Sequence, residues 1–190
     1  MPSRLAFLAA ALLALKPAPQ APPEAIVVAD ATVIDGTGAP PARRSLLITG
    51  STISAVLQPG AQPPEGATVV DGRGRFVIPG LWDMHVHLGV RPEPDLAERI
   101  MLPAFLAYGI VGVRDMGGPL ERVVTLRDRV KRGELEGPRI LTPGPFVDGP
   151  GDDDPSFRRA TGPAQAKTAV DALAGAGVDF IKVQANLSLE

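Results

Sequence analysis

No cysteine occurs among the 190 residues. That absence excludes disulfides, thiolate metal sites and a cysteine nucleophile, and leaves the compartment open. Aromatic residues are few, and 19 Lys and Arg are offset by 21 Asp and Glu. With no basic excess, nothing points to a nucleic-acid partner. The longest uninterrupted apolar run near the start, Leu5 to Leu15, is eleven residues, too short for a stable membrane span. Histidine is almost missing too, and both copies, His85 and His87, fall in PGLWDMHVHL, residues 79–88. What the chain has in quantity is Pro and Gly, 21 of each, which implies many turns between short elements.

The amino terminus reads as a targeting segment. Arg4 precedes the apolar run, and KPAPQAPPE follows it as a Pro/Ala linker. Residues 1–24 are therefore expected to be a signal peptide and linker, with export to the periplasm or the medium. A disordered leader or a mis-assigned start is the alternative, and would leave the protein cytoplasmic. No cysteine follows the run, which excludes a lipoprotein anchor.

From Ala25 the pattern turns to β. AIVVADATVID, SLLITGSTISAVL and ATVVDGRGRFVIP are rich in Val, Ile and Thr and are separated by turn-forming stretches. They predict a small antiparallel unit over residues 25–79. From Gly80 strands and helices alternate. LWDMHVH is strand one, and DLAERIMLPAFLAYG is a helix with Asp95 as N-cap, Pro103 as a kink and Gly109 as its stop. IVGVRDM is strand two, and GGPLERVVTLRDRVKRG is a helix with Pro119 in its first turn. RILTPG is strand three, GPAQAKTAVDALAGAG a helix, and VDFIKVQ strand four. This alternation predicts parallel βα units, and four of them make half of a (β/α)8 barrel. The polar residues His85, His87, Asp115 and Lys182 fall at the carboxyl ends of those strands.

Two histidines at i and i+2 on a strand share a face, about 6–7 Å apart along the backbone, within reach of one metal ion. The same spacing also fits a structural pair bonded to main chain. Asp83 lies two residues earlier and is placed to support a ligating imidazole. Asp115 reads as a structural or supporting acid more than a ligand. Lys182 is either a site residue or an inward lysine paired with Asp115 or Asp179. The long loop after strand three carries Asp152, Asp153 and Asp154, either a cation-binding cluster or a solvated charge run.

The stretch PGLWDMHVHL, with GVRDMGG at 112–118 and VDFIKV at 178–183, resembles the amidohydrolase superfamily, and most of all its imidazolonepropionase-like and Xaa-Pro-dipeptidase-like members. The resemblance implies a small β-sandwich segment over 25–79, followed over 80–190 by the first four βα units of a TIM-type barrel. It implies that His85 and His87 bind a divalent metal, most often zinc, as one or two ions. It also implies that Lys182 is carboxylated and bridges the two. A carbamate is an anionic oxygen donor, whereas a neutral lysine is scarce at pH 7. The implied reaction is hydrolysis of an amide, cyclic amide or dipeptide bond by metal-activated water. The substrate would be a dipeptide or another small molecule.

The family also draws histidines from strands five and six and an aspartate from strand eight. No histidine follows His87 here. The expectation is an N-terminal portion of a longer enzyme, inactive alone, with its general base beyond residue 190. The alternatives are a non-catalytic secreted metal-binding or partner-binding protein of the same fold, or a half-barrel that pairs with a second copy. Oligomeric state is not legible.

Overall fold

A computed structural model describes residues 24–90, 93 and 95–187. The expected signal segment lies outside the described residues, apart from Glu24. The chain divides into two compact units, Met1–Ile78 and Pro79–Glu190.

The first unit is one sheet. β1 (Ala25–Val33), β2 (Ala42–Thr49) and β3 (Thr52–Leu57) are antiparallel neighbours, and β4 (Thr68–Asp71) and β5 (Phe76–Val77) pair with β1. The expectation of a purely antiparallel unit is corrected, because β4 and β5 run parallel to β1. Two successive reversals leave β3 running in the direction of β1. The loop over 58–67 then carries the chain to the free edge of β1 without a further net reversal. SLLITGSTISAVL is also two strands, turned at Gly50 with φ +60°. β1 bulges at Asp30, whose φ is +59°. The buried Ser45 hydroxyl takes the Asp30 N–H that the bulge releases (3.1 Å), and Asp30 Oδ1 accepts the Gly60 N–H (2.8 Å). Val27, Ala31 and Leu46 are buried, whereas β4 is exposed throughout.

In the second unit β6 (Leu81–Val86), β7 (Ile110–Asp115) and β8 (Arg139–Leu141) form a parallel sheet in that order. Parallel neighbours require crossovers, supplied by α1 (Leu102–Ala107) and α2 (Leu120–Lys131). Val86, Leu88 and Val113 from the sheet region pack with Leu102, Leu126 and Ile140 in one core. The fold is thus mixed α/β. Gly112 is needed where it stands, since a Cβ there would sit 2.2 Å from the Trp82 ring.

Three local expectations are corrected. Asp95 makes no side-chain cap, and the first helix opens as a π-helical turn, Ala97–Met101. Pro103 has no N–H to continue the regular ladder, and the Leu102 N–H reaches back five residues to the Ala97 carbonyl instead. Pro119 is the N-cap of α2, one place before its first turn. Strand four is reduced to a single bridge, Val147 to Val183.

The reason for the last lies in its neighbour, TPGPF. Pro143 and Pro145 offer no ladder donors. Gly144 between them spends its N–H on the Thr142 hydroxyl and its carbonyl on the Gly118 N–H. Pairing resumes only at β9 (Phe146–Asp148), where the Val147 N–H meets the Lys182 carbonyl (2.8 Å) and the Gln184 N–H meets the Val147 carbonyl (2.9 Å). β10 (Phe157–Arg159) flanks β9, and α3 (Pro163–Gly175) follows.

Candidate metal site and the loop beside it

His85 and His87 come together at the carboxyl end of β6. Their ring centroids are 5.3 Å apart, edge to face, and both side chains are exposed. Between Asp83 and Val86 the strand carries one more residue than β7 opposite it, a bulge. A bulge frees an N–H from the ladder and re-aims the side chains around it. Here the His85 N–H donates to Asp83 Oδ1 (3.0 Å), so Asp83 secures the backbone of the histidine segment.

The His87 ring is oriented by its other side. Nδ1 lies 3.2 Å from the Gly117 carbonyl, and the ring is 5.9 Å from that of Phe146. A carbonyl only accepts, so this contact places a proton on Nδ1, and in the neutral ring it leaves the lone pair on Nε2. That is the tautomer a metal ligand needs. Gly117 has φ +136°, and a Cβ on it would lie 2.6 Å from the Phe146 ring. The two adjacent glycines after RDM were the available signal for this close approach.

Asp115 is fully buried at the end of β7. Its Oδ1 accepts the Leu88 N–H (2.9 Å) and its Oδ2 the Thr142 hydroxyl (2.7 Å). Burial pushes its carboxyl above the ordinary range, against the pull of those two hydrogen bonds and of His87. Thr142 continues the link, because its N–H donates to Asp179 Oδ2 (2.9 Å), which also takes Arg127 (3.0 Å). Two carboxylates thereby tie the ends of β6, β7 and β8 to the start of the strand-four segment, where the Asp179 N–H also meets the Thr142 carbonyl (2.9 Å). Thr142 was not singled out from sequence, although a polar residue closing an apolar strand was its visible sign.

Lys182 is half-buried. Asp115 and Asp179 are bonded elsewhere, and among the described residues Lys182 forms no ion pair. No group of three or more His, Cys, Asp or Glu side chains able to hold a metal occurs among the described residues. The donor set present is therefore a pair of imidazoles, one with its tautomer set by Gly117, which fits a metal but does not complete its coordination.

The long loop closes on a second buried carboxylate, Asp148, which sequence reasoning missed. It accepts the Asn186 main-chain N–H (2.9 Å) and side-chain amide (3.1 Å), and Arg159 (3.0 Å). Desolvation pushes the Asp148 carboxyl up, but the Asn186 hydrogen bonds and Arg159 outweigh it and hold it below the usual carboxylate range. Arg159 also donates to the Asp152 and Gly149 carbonyls and stacks 4.2 Å from the Phe157 ring. The loop so folded borders a cleft of about 320 Å³ lined by His87, Val90, Phe146, Asp154, Ser156 and Phe157. No helix among the described residues is long and apolar enough to cross a membrane.

The fold is similar to that of amidohydrolases and prolidases, hydrolases of carbon–nitrogen bonds. A prolidase-like protein from Bifidobacterium longum superposes with a TM-score of 0.74 at 29% identity, covering 88% of this chain and 42% of that one. A Xaa-Pro dipeptidase solved with methionine in its active site gives 0.72 at 26% identity, covering 84% and 47%. In sequence, a dihydroorotase of Desulforapulum autotrophicum is 45% identical over 47 residues, 24% of this chain and 11% of that protein. No family model matches the chain. The chain spans less than half the length of the two solved relatives and about a tenth of the dihydroorotase.

Proposed function

We propose that this chain is the amino-terminal part of a metal-dependent amidohydrolase that cleaves an amide, cyclic amide or dipeptide bond. In this reading Pro79–Glu190 is the opening half of a (β/α)8 barrel and the first unit is part of a β-sandwich. The observation that carries it is the His85–His87 pair, with His87 Nδ1 against the Gly117 carbonyl. Likeness to prolidase and dihydroorotase supports carbon–nitrogen bonds as the target class.

His85 and His87 would hold the metal, zinc as one or two ions, with Lys182 as a further ligand once carboxylated. A divalent ion bound there supplies Lewis acidity toward a carbonyl and a water more acidic than bulk. The chain's own residues do the holding. Asp83 fixes the His85 backbone, Gly117 sets the His87 tautomer, and Asp115 with Thr142 keeps the segment after His87 against β7. No proton-shuttling residue is assigned among the described residues; the relatives' greater length leaves room for it elsewhere in the whole protein. Export and the dipeptide class of substrate belong to the same proposal. A non-catalytic metal-binding or partner-binding role is the alternative.

The test is zinc affinity by titration calorimetry in the chain and in His85→Ala and His87→Ala. Both side chains are exposed, so both variants should fold. Each should bind zinc at least about tenfold more weakly. Unchanged affinity in both would remove the site. Hydrolysis of dipeptides and lactams by the zinc-loaded whole protein then separates an enzyme from a metal-binding relic.

A further inference from the structure

The cleft beside His87 has a chemistry of its own. Its volume of about 320 Å³ is at the low end for a ligand pocket, suited to one side group of a substrate more than to a whole molecule. Val90, Phe146 and Phe157 make its apolar wall, and the two phenylalanine rings are 5.1 Å apart in a tilted contact. Tilted rings at this distance form a stable aromatic platform on which a third ring can pack. Phe146 is buried and rests on the His87 ring, so the platform is fixed relative to the candidate metal ligand.

Asp154 lines the same cleft. Its Oδ1 is used by the Ser156 N–H (2.7 Å), which fixes the carboxylate's orientation, and its side chain is exposed. The nearby cation, Arg159, is held by Asp148 and by the Asp152 and Gly149 carbonyls and lies over the Phe157 ring at 4.2 Å. Among the described residues Asp154 is thus the one carboxylate in the lining of the cleft, and its wall is aromatic.

We infer that this cleft is a specificity subsite that takes a ring-sized apolar group with a cationic outer end, using Phe157 and Phe146 for the ring and Asp154 for the charge. The inference rests on the reading of His85 and His87 as the reaction centre only for the word subsite; the recognition chemistry stands on the cleft. A substrate bearing such a group would be preferred over one bearing a short or an anionic group.

The probes are 2-phenylethylamine and 3-phenylpropionate, titrated into the whole protein and followed by calorimetry. The amine should bind and the acid bind more weakly. Phe157→Ala should weaken the amine about tenfold, the scale of a lost aromatic contact. Asp154→Asn keeps an oxygen for the Ser156 N–H and should weaken the amine by about two- to fivefold while improving the acid. Asp154 is exposed, so this variant tests the proposal even if Phe157→Ala fails to fold. No binding of the amine to the wild type, or an amine-to-acid preference unaltered in Asp154→Asn, would overturn it. If the amine binds as described but the zinc-loaded protein hydrolyses no dipeptide or lactam, the recognition site stands and the hydrolase reading falls.

Discussion

At the scale of single residues, buried carboxylates organise this chain more than its exposed charges do. Asp115 and Asp148 are 0% and 1% exposed, and each carries several donors. The surface pairs, such as Lys167 with Asp171, are solvated and contribute little. Asp148 gives a pH prediction whose sign follows from its depressed carboxyl. A group that ionises more readily when folded adds stability that is complete above its unfolded value near 3.8 and is lost as pH falls through its lower folded value. Wild type should therefore melt above Asp148→Asn at neutral pH. The gap should hold down to about pH 4 and close below it. Thermal melts of both proteins from pH 7 to pH 3 measure this, and a gap that widens on acidification would contradict the role given to Asp148. In sequence Asp148 was one acid in a Pro- and Gly-rich loop, and nothing in its spacing revealed that Asn186, 38 residues away, would reach it.

At the scale of elements, the order of strands and helices was legible and their pairing less so. The apolar runs of β6, β7 and β8 and the helical periods of α2 and α3 announced themselves because local patterning and tertiary burial agree there. The first unit misled, since the direction in which β4 enters the sheet depends on a loop crossing that no periodicity records. VDFIKVQ misled for a different reason. Its own pattern is that of a strand, but pairing needs donors on the neighbour, and Pro143 and Pro145 remove them. This has a measurable consequence. In hydrogen exchange, the Val147, Asp179 and Gln184 amides, which donate to the Lys182, Thr142 and Val147 carbonyls, should be protected. The amides of Phe180, Ile181 and Lys182 between them should exchange far faster, because exchange follows the opening of hydrogen-bonded backbone. Uniform protection from Val178 to Gln184 would show a continuous strand and refute the account. The histidine site shows the same division. The closeness of its two histidines was visible in the sequence, while the bulge, the Asp83 bond and the Gly117 contact depend on β7 lying alongside.

At the scale of the whole molecule, each unit leaves apolar side chains in water. In the first unit Ile53, Val56, Val69 and Phe76 are exposed, and in the second Leu81, Trp82, Met84 and Val111. Single exposed apolar residues are ordinary, but here four fall on two adjacent strands, β6 and β7. Among the described residues β6 is also paired with a strand on one side only, which leaves its other edge without a strand partner. An open edge beside exposed apolar side chains is the combination that templates association between copies. Residues 24–190 should therefore bind a hydrophobic dye and form concentration-dependent oligomers in the micromolar range. Light scattering during size exclusion measures this. Met84→Lys and Val111→Lys place charge on β6 and β7 at exposed positions, so each should reduce both dye binding and association while the circular dichroism spectrum stays unchanged. The first unit's exposed face would be untouched by these changes, which makes the comparison specific to β6 and β7. A chain that is monomeric throughout that range, or whose association ignores both lysines, would mean that these side chains do not form the adhesive surface.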